Sequence, residues 1–210
     1  MARILIADDH AVARRGIREM LADAFPSAEI ETVADGESLL KEVIRQTWDL
    51  VITDIAMPGR TGLDILQQIR KAFPDLPVLV LSMYSEDEYA LRVIKAGAFG
   101  FLNKDEAVEE ELVKAADTLL RGRKYITPSI AEKLANELSQ DQEKQPHELL
   151  SDRELHVFML LAQGRTTGEI ADQLSLSTNT IGTFRSRILA KMNMKNNAEL
   201  VAYAVRNQLI

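Results

Sequence analysis

Three carboxylates in two places could do chemistry in this chain: the pair Asp8 and Asp9, and Asp54 alone. Each set directly follows an apolar run, residues 4–7 before the pair and 50–53 before the single acid. Short continuous apolar runs of this kind read as strands buried on both faces of a parallel sheet. Acids at the ends of such strands gather at the carboxyl edge of the sheet, where open α/β folds bind ligands. Carboxylates crowded together repel one another unless a hard cation joins them. Mg²⁺ suits the role, since it takes oxygen ligands from one or two carboxylates, water and phosphate. Asp54 is then a candidate nucleophile toward phosphorus, forming an acyl phosphate. Asp9, Asp54 and the backbone carbonyl of Ala56 would hold the metal directly, and Asp8 through water. Ser82, ending a fourth apolar run, offers a hydroxyl to a phosphoryl oxygen, and Lys104, after a fifth, offers an ammonium.

The elements that must position these groups alternate. Strand-like runs cover residues 4–7, 29–33, 50–53, 78–81 and 100–102, and helical patterns cover 11–24, 38–45, 62–73, 87–96 and 107–120. Five βα units of this length predict a small doubly wound domain on a five-stranded parallel sheet. Taken singly, a strand-terminal Asp is often a helix cap, a lysine a solvated surface group, and Ser82 a turn residue. The order carries the signal: acids after strands one and three, hydroxyl after four, lysine after five.

The pattern then changes. Thr127-Pro128 predicts the start of a short helix to about residue 138. Residues 139–148 are polar and poor in apolar side chains, which reads as a flexible linker. The chain thus divides into a first domain over 1–122, a linker with a short helix over 123–148, and a second, all-helical domain over 149–210. Capping boxes at Ser151–Glu154 and Thr166–Glu169 open two of its helices. Ser177 caps a third over 178–192, and a fourth runs over about 198–205. The two helices meeting at Ser175-Leu176-Ser177 make a helix-turn-helix.

Composition bounds the rest. The chain has 210 residues, 46% of them hydrophobic, and no cysteine, so disulfides and thiolate metal sites are excluded. No secretory signal and no apolar run of transmembrane length is evident, which predicts a cytoplasmic protein with no membrane partner. The net charge of −7 argues against nucleic acid as a partner, but it is unevenly spread. Residues 185–210 hold five basic side chains and one acid, a formal +4, leaving −11 for residues 1–184. On the third helix of the second domain, Ile181, Phe184, Ile188 and Met192 form a predicted buried stripe. The opposite face presents Asn179, Gly182, Thr183, Ser186 and Arg187. That face suits a major groove, with Thr183 and Ser186 at base edges and Arg187 and Lys191 at phosphates. Arg185 lies beside the stripe as a further candidate. Such a face is more often simply solvated; the local positive charge and the helix-turn-helix favour DNA.

The first 120 residues resemble the receiver domain of bacterial response regulators. The resemblance rests on Asp8-Asp9, the loop Asp54-Ile-Ala-Met-Pro-Gly, Ser82, and Phe101-Leu102-Asn103-Lys104. It implies that Asp54 accepts a phosphoryl group from a histidine of a sensor kinase. It also implies that Ser82 moves toward the phosphate and that the aromatic Phe101 swings inward as a switch. Residues 149–210 resemble the LuxR-type helix-turn-helix domain. The matching string is Leu150-Ser-Asp-Arg-Glu154, Gly164, Glu169-Ile-Ala171, Leu174, Ser177, Thr180-Ile181 and Lys191-Met192. Gly182, Phe184 and Asn197 depart from the commonest pattern of that family.

Together the two resemblances have the order of NarL/FixJ-group regulators. They imply a transcription factor that binds double-stranded promoter DNA as a phosphorylation-dependent homodimer, through whatever part of the last-helix stripe Leu200, Val201, Ala204 and Val205 does not pack on its own domain, and that does not turn over a substrate. RNA polymerase is a further partner such a reading allows. The alternatives are a turnover phosphatase or phosphotransferase, against which stands the absence of an acid or base at Ala56, and a constitutive DNA-binding protein whose first domain serves only dimerisation. Ala56 and Tyr84 flank the approach of hydrolytic water to Asp54. Neither orients water well, which predicts an acyl phosphate lasting on the order of minutes or longer, as judged by the lack of a general base.

Overall fold

The computed structural model describes residues 1–57, 62–83, 86–104, 109–139, 145–207 and 209–210, with side chains left aside at 86–88 and 137–139. The chain divides into two compact units, Met1–Asn136 and Glu137–Ile210.

The first unit alternates β1 (Arg3–Ala7), α1 (Ala11–Ala24), β2 (Glu29–Val33), α2 (Gly36–Arg45), β3 (Leu50–Asp54), α3 (Gly62–Ala72), β4 (Val78–Ser82), α4 (Glu86–Lys95), β5 (Gly100–Asn103) and α5 (Glu109–Leu120). The strands form one parallel sheet in the order β2-β1-β3-β4-β5, the doubly wound architecture the sequence predicts. The inner strands β3 and β4 are buried at every residue, which is why they read as unbroken apolar runs. β2 lies at the sheet edge, and its Glu-Ile-Glu-Thr-Val sequence is correspondingly polar. One core cluster joins Ile4, Ile6, Leu50, Ile52, Leu79 and Leu81 of the sheet to Leu21 of α1 and to Leu112, Ala116 and Leu119 of α5. The strand order reverses between β1 and β3, so the crevice opens where both acidic sets end.

Several element ends shift by a residue, and some features depart further from the sequence reading. α2 begins at Gly36 rather than residue 38, because Asp35 caps it by accepting from the Ser38 amide at 2.8 Å. Tyr125, predicted to lie in the linker, belongs to the first unit's core cluster and bridges backbone with Gly100. α6 (Pro128–Ser139) follows, with Ile130 fully buried. Residues 140–144 of the predicted linker lie outside the described residues, whereas Pro146–Leu149 forms a 3₁₀ turn instead of flexible chain. The turn is held by a capping box between Gln145 and Glu148 and by the His147 ring, which hydrogen-bonds Tyr203 Oη at 2.7 Å.

The second unit continues with α7 (Asp152–Ala162), α8 (Thr167–Leu174), α9 (Thr178–Lys191) and α10 (Asn197–Arg206). Ser151 with Glu154 and Thr166 with Glu169 form the two predicted capping boxes. α7 is buried at every residue from Glu154 to Ala162 and is the central post of the unit. Ser175 turns the chain between α8 and α9 in the left-handed conformation, at φ 54°.

Candidate functional site

The carboxyl edge of the sheet gathers the predicted acids. Asp54 is the last residue of β3 and is 2% exposed; Asp8 follows β1 directly and is 1% exposed. Asp9 is partly exposed, at 28% of its side chain. α3 approaches so closely that a Cβ on Gly62 would lie 2.5 Å from Ile55 Cα and 2.9 Å from the Asp54 carbonyl oxygen. Only glycine allows that contact, which fixes the loop carrying Asp54 against the start of α3. Lys104 reaches the pocket because its amide continues the β4–β5 pairing, donating to the Ser82 carbonyl at 2.7 Å. Its ammonium donates to Asp8 Oδ2 and to Asp54 Oδ2, both at 2.6 Å. The remaining oxygens are also held. Asp54 Oδ1 accepts from the Ala56 amide at 3.0 Å, and Asp8 Oδ1 accepts from the His10 amide at 2.8 Å. Ser82 is fully buried at the end of β4 and pairs in register with Asn103.

Burial pushes the Asp54 carboxyl above its ordinary value, and the charge and hydrogen bond of Lys104, with the Ala56 amide, offset only part of that. Burial pulls Lys104 down, but its two carboxylate partners outweigh it and hold the ammonium above its usual value. Burial thus acts against charge on both groups, and each group's charge acts for the other's. Donor atoms of Asp8, Asp9, His10 and Asp54 all lie within 4.8 Å of one another. Three carboxylates at that spacing fit a hard divalent cation, which would add positive charge beside Asp54 and offset that of transferring oxygens.

The second candidate surface is α9. Asn179, Thr183, Ser186, Arg187 and Lys191 are exposed, while Ile181 and Ile188 are buried and Met192, its C-cap, closes the stripe. Phe184, predicted in that stripe, is only half-buried. A Cβ on Gly182 would meet nothing within 4 Å, so packing within the chain does not require glycine there, and it leaves the outer face low. Thr183 and Ser186 donate their hydroxyls to the carbonyls of Asn179 and Gly182, both at 3.0 Å, and keep their acceptor lone pairs outward. One predicted phosphate contact, Lys191, and the further candidate Arg185 have partners inside the unit. Lys191 Nζ donates to Glu154 Oε2 at 2.6 Å, and Arg185 Nε donates to Asn197 Oδ1 at 2.6 Å, tying α9 to α10. Arg187 is exposed with no side-chain partner among the described residues.

Both surfaces have counterparts among known proteins. Residues 4–117 match the family described as "Response regulator receiver domain", and residues 148–204 the family "Bacterial regulatory proteins, luxR family". The chain is a response regulator of the NarL/FixJ family. It is 37% identical to "Oxygen regulatory protein NreC" of Staphylococcus carnosus, with 99% of each chain covered, and 34% identical to "Response regulator GacA" of Pseudomonas viridiflava, covering 100% of this chain and 98% of the relative. Among solved structures it is similar to RcsB of Salmonella enterica serovar Typhimurium bound to promoter rprA in the presence of phosphomimetic BeF3⁻. That similarity has a TM-score of 0.66 at 25% identity, with 97% of this chain and 98% of the other covered. This response regulator therefore regulates transcription through a LuxR-type DNA-binding domain.

Most of the regulator's predicted receiver residues converge, but some details differ from expectation. Phe101 is already fully buried on β5, so an inward swing is not a movement this conformation has left to make. A phenyl ring without a hydroxyl has no polar tip to hold it outward. Tyr84 lies outside the described residues. His10 is the residue sequence reasoning missed, and its position directly after Asp8-Asp9 was the available signal. Among the described residues no helix is long and apolar enough to cross a membrane.

Proposed function

We propose that the regulator is switched by phosphorylation of Asp54 from a phosphohistidine of a sensor kinase. The Lys104 ammonium, 2.6 Å from both Asp8 and Asp54, carries this reading, because it poises a cation at the oxygen that would attack. An Asp54 carboxylate oxygen bonds to phosphorus as the phosphorus–nitrogen bond to the donor histidine breaks, and the imidazole leaves with the electron pair. Mg²⁺ held by Asp8, Asp9, Asp54 and the Ala56 carbonyl supplies charge neutralisation when bound. Lys104 and the Ser82 hydroxyl then meet the new phosphoryl oxygens, and Phe101 lies buried on the adjoining strand β5. The acyl phosphate is slow to hydrolyse, since Ala56 provides no base. The phosphorylated chain binds promoter DNA as a dimer, with Asn179, Gly182, Thr183, Ser186 and Arg187 in the major groove and Val201 and exposed Val205 of α10 at the two-fold axis, since Leu200 and Ala204 are buried within the unit.

The test is a genome-wide selection of bound DNA fragments by wild type and Asp54→Ala, each with Mg²⁺ and acetyl phosphate at fixed salt. Enrichment of inverted-repeat sites by wild type alone is expected. Equal enrichment by both proteins would replace the switch with constitutive binding, the first unit serving dimerisation only.

A further inference from the structure

His10 occupies an odd position for its residue type. It is the N-cap of α1, a place where Ser, Thr, Asp or Asn satisfies a free amide through the side chain. The His10 ring makes no such bond. Its backbone is nonetheless fixed, with the amide donated to Asp8 Oδ1 at 2.8 Å and the carbonyl accepting from Arg14 at 3.0 Å. The ring turns instead toward the pocket. Nδ1 stands 2.9 Å from Asp9 Oδ1 and 3.6 Å from Asp8 Oδ1, within the same 4.8 Å cluster as Asp54. The side chain is 69% exposed, so no packing obliges it to lie there. A helix has given up a cap, worth about 1 kcal/mol, to place an imidazole nitrogen among three carboxylates.

We propose that His10 Nδ1 is a ligand of the cation pocket, and that the pocket takes a first-row transition dication such as Mn²⁺, Co²⁺ or Ni²⁺ through a mixed nitrogen–oxygen donor set. Mg²⁺ gains little from imidazole, because it is held by oxygen. Later first-row ions gain from it. The pocket thus discriminates between dications by whether they use the ring. The inference rests on the reading of Asp8, Asp9 and Asp54 as a cation site.

Mn²⁺ bound to the full-length protein gives a spectroscopic test, since pulsed EPR detects a directly bound imidazole by its ¹⁴N coupling. The chain has three histidines. His147 is engaged with Tyr203, and His156 is buried in α7, so neither belongs to the carboxylate cluster. Wild type is expected to show the ¹⁴N coupling, and His10→Gln to lose it. Calorimetric titration is expected to show Ni²⁺ affinity falling about tenfold or more in His10→Gln, with Mg²⁺ affinity nearly unchanged. Mn²⁺ that Mg²⁺ displaces but that shows no imidazole coupling overturns the role of His10 and leaves the cation site standing. So does a variant that loses Mg²⁺ and Ni²⁺ affinity equally. Binding of Mg²⁺ and Mn²⁺ that is absent in wild type, or unchanged in Asp54→Ala, overturns the cation site itself and the role of His10 with it.

Discussion

Lys104 neutralises the two most buried acids of the pocket. Its ammonium is shared between two carboxylates that are almost wholly out of water, and removing it would leave both unpaired. Breaking a buried ion pair by deleting one partner costs about 3 kcal/mol or more. Lys104→Met is therefore expected to melt well below wild type in the presence of a chelator. A dication can replace the lost charge, so Mg²⁺ should raise the melting temperature of Lys104→Met by more than it raises that of wild type. Scanning calorimetry of both proteins with and without Mg²⁺ checks this, and equal Mg²⁺ shifts would mean that lysine and cation do not share the carboxylates. The same logic separates two basic residues of α9. Lys191 neutralises Glu154, whose carboxyl burial alone would raise but whose donors Lys191 and Ser151 hold below its usual range. Lys191→Ala should cost about 1–2 kcal/mol of stability, discounted because the lysine is partly exposed. Arg187→Ala should leave stability within about 0.5 kcal/mol and lower the salt dependence of DNA binding by about one phosphate contact. Denaturant unfolding beside DNA titrations over a range of salt distinguishes the two. Sequence alone ranked these basic residues together, because the Glu154 partner lies 37 positions away and no local pattern announces it.

At the scale of elements, legibility followed burial. β1, β3 and β4 declared themselves because a strand covered on both faces has only apolar positions to offer. Capping boxes fixed the starts of α7 and α8 because their chemistry is complete within four residues. The 3₁₀ turn at Pro146–Leu149 hid in a polar stretch, since His147 meets its partner Tyr203 from 56 positions away. Phe184 fits the apolar spacing of α9, but its place on the helix leaves it only half-buried, and spacing does not report how far a neighbouring element extends. α7 carries a pH dependence that follows from its central position. Burial lowers His156 from 6.5 to about 4, so the folded unit holds it neutral where the unfolded chain would protonate it. The stability this contributes is complete above pH 6.5 and is lost as pH falls from there toward 4. A shift of that size corresponds to about 3 kcal/mol. Urea unfolding followed by circular dichroism between pH 4 and 7 should show this loss in the helical unit, and His156→Gln should flatten it even if it lowers stability at every pH. A wild-type slope retained in that variant would place the titration elsewhere.

For the molecule as a whole, charge and switching pull in opposite directions. Glu137–Ile210 carries eight basic and nine acidic side chains, a formal −1 of the chain's −7, so Met1–Asn136 carries −6. The first unit already repels DNA, and a phosphoryl group of about −1.5 to −2 that replaces the −1 of the Asp54 carboxylate adds about −0.5 to −1 more. Net charge alone would make phosphorylated protein bind DNA more weakly. If phosphorylation tightens binding, the gain must come from pairing two DNA-reading units, which a change in differential affinity between states can supply. Two consequences separate this from a charge effect. The gain should rise with protein concentration, because dimer formation is second order. It should also grow as salt rises, because salt screens the added repulsion over a Debye length of about 10 Å at 0.1 M while leaving apolar α10 contacts intact. Fluorescence anisotropy with an inverted-repeat duplex, with and without acetyl phosphate, across salt and protein concentration, measures both. A gain that is independent of protein concentration and shrinks with salt would place the switch in electrostatics within one chain, and the dimer would drop out of the mechanism.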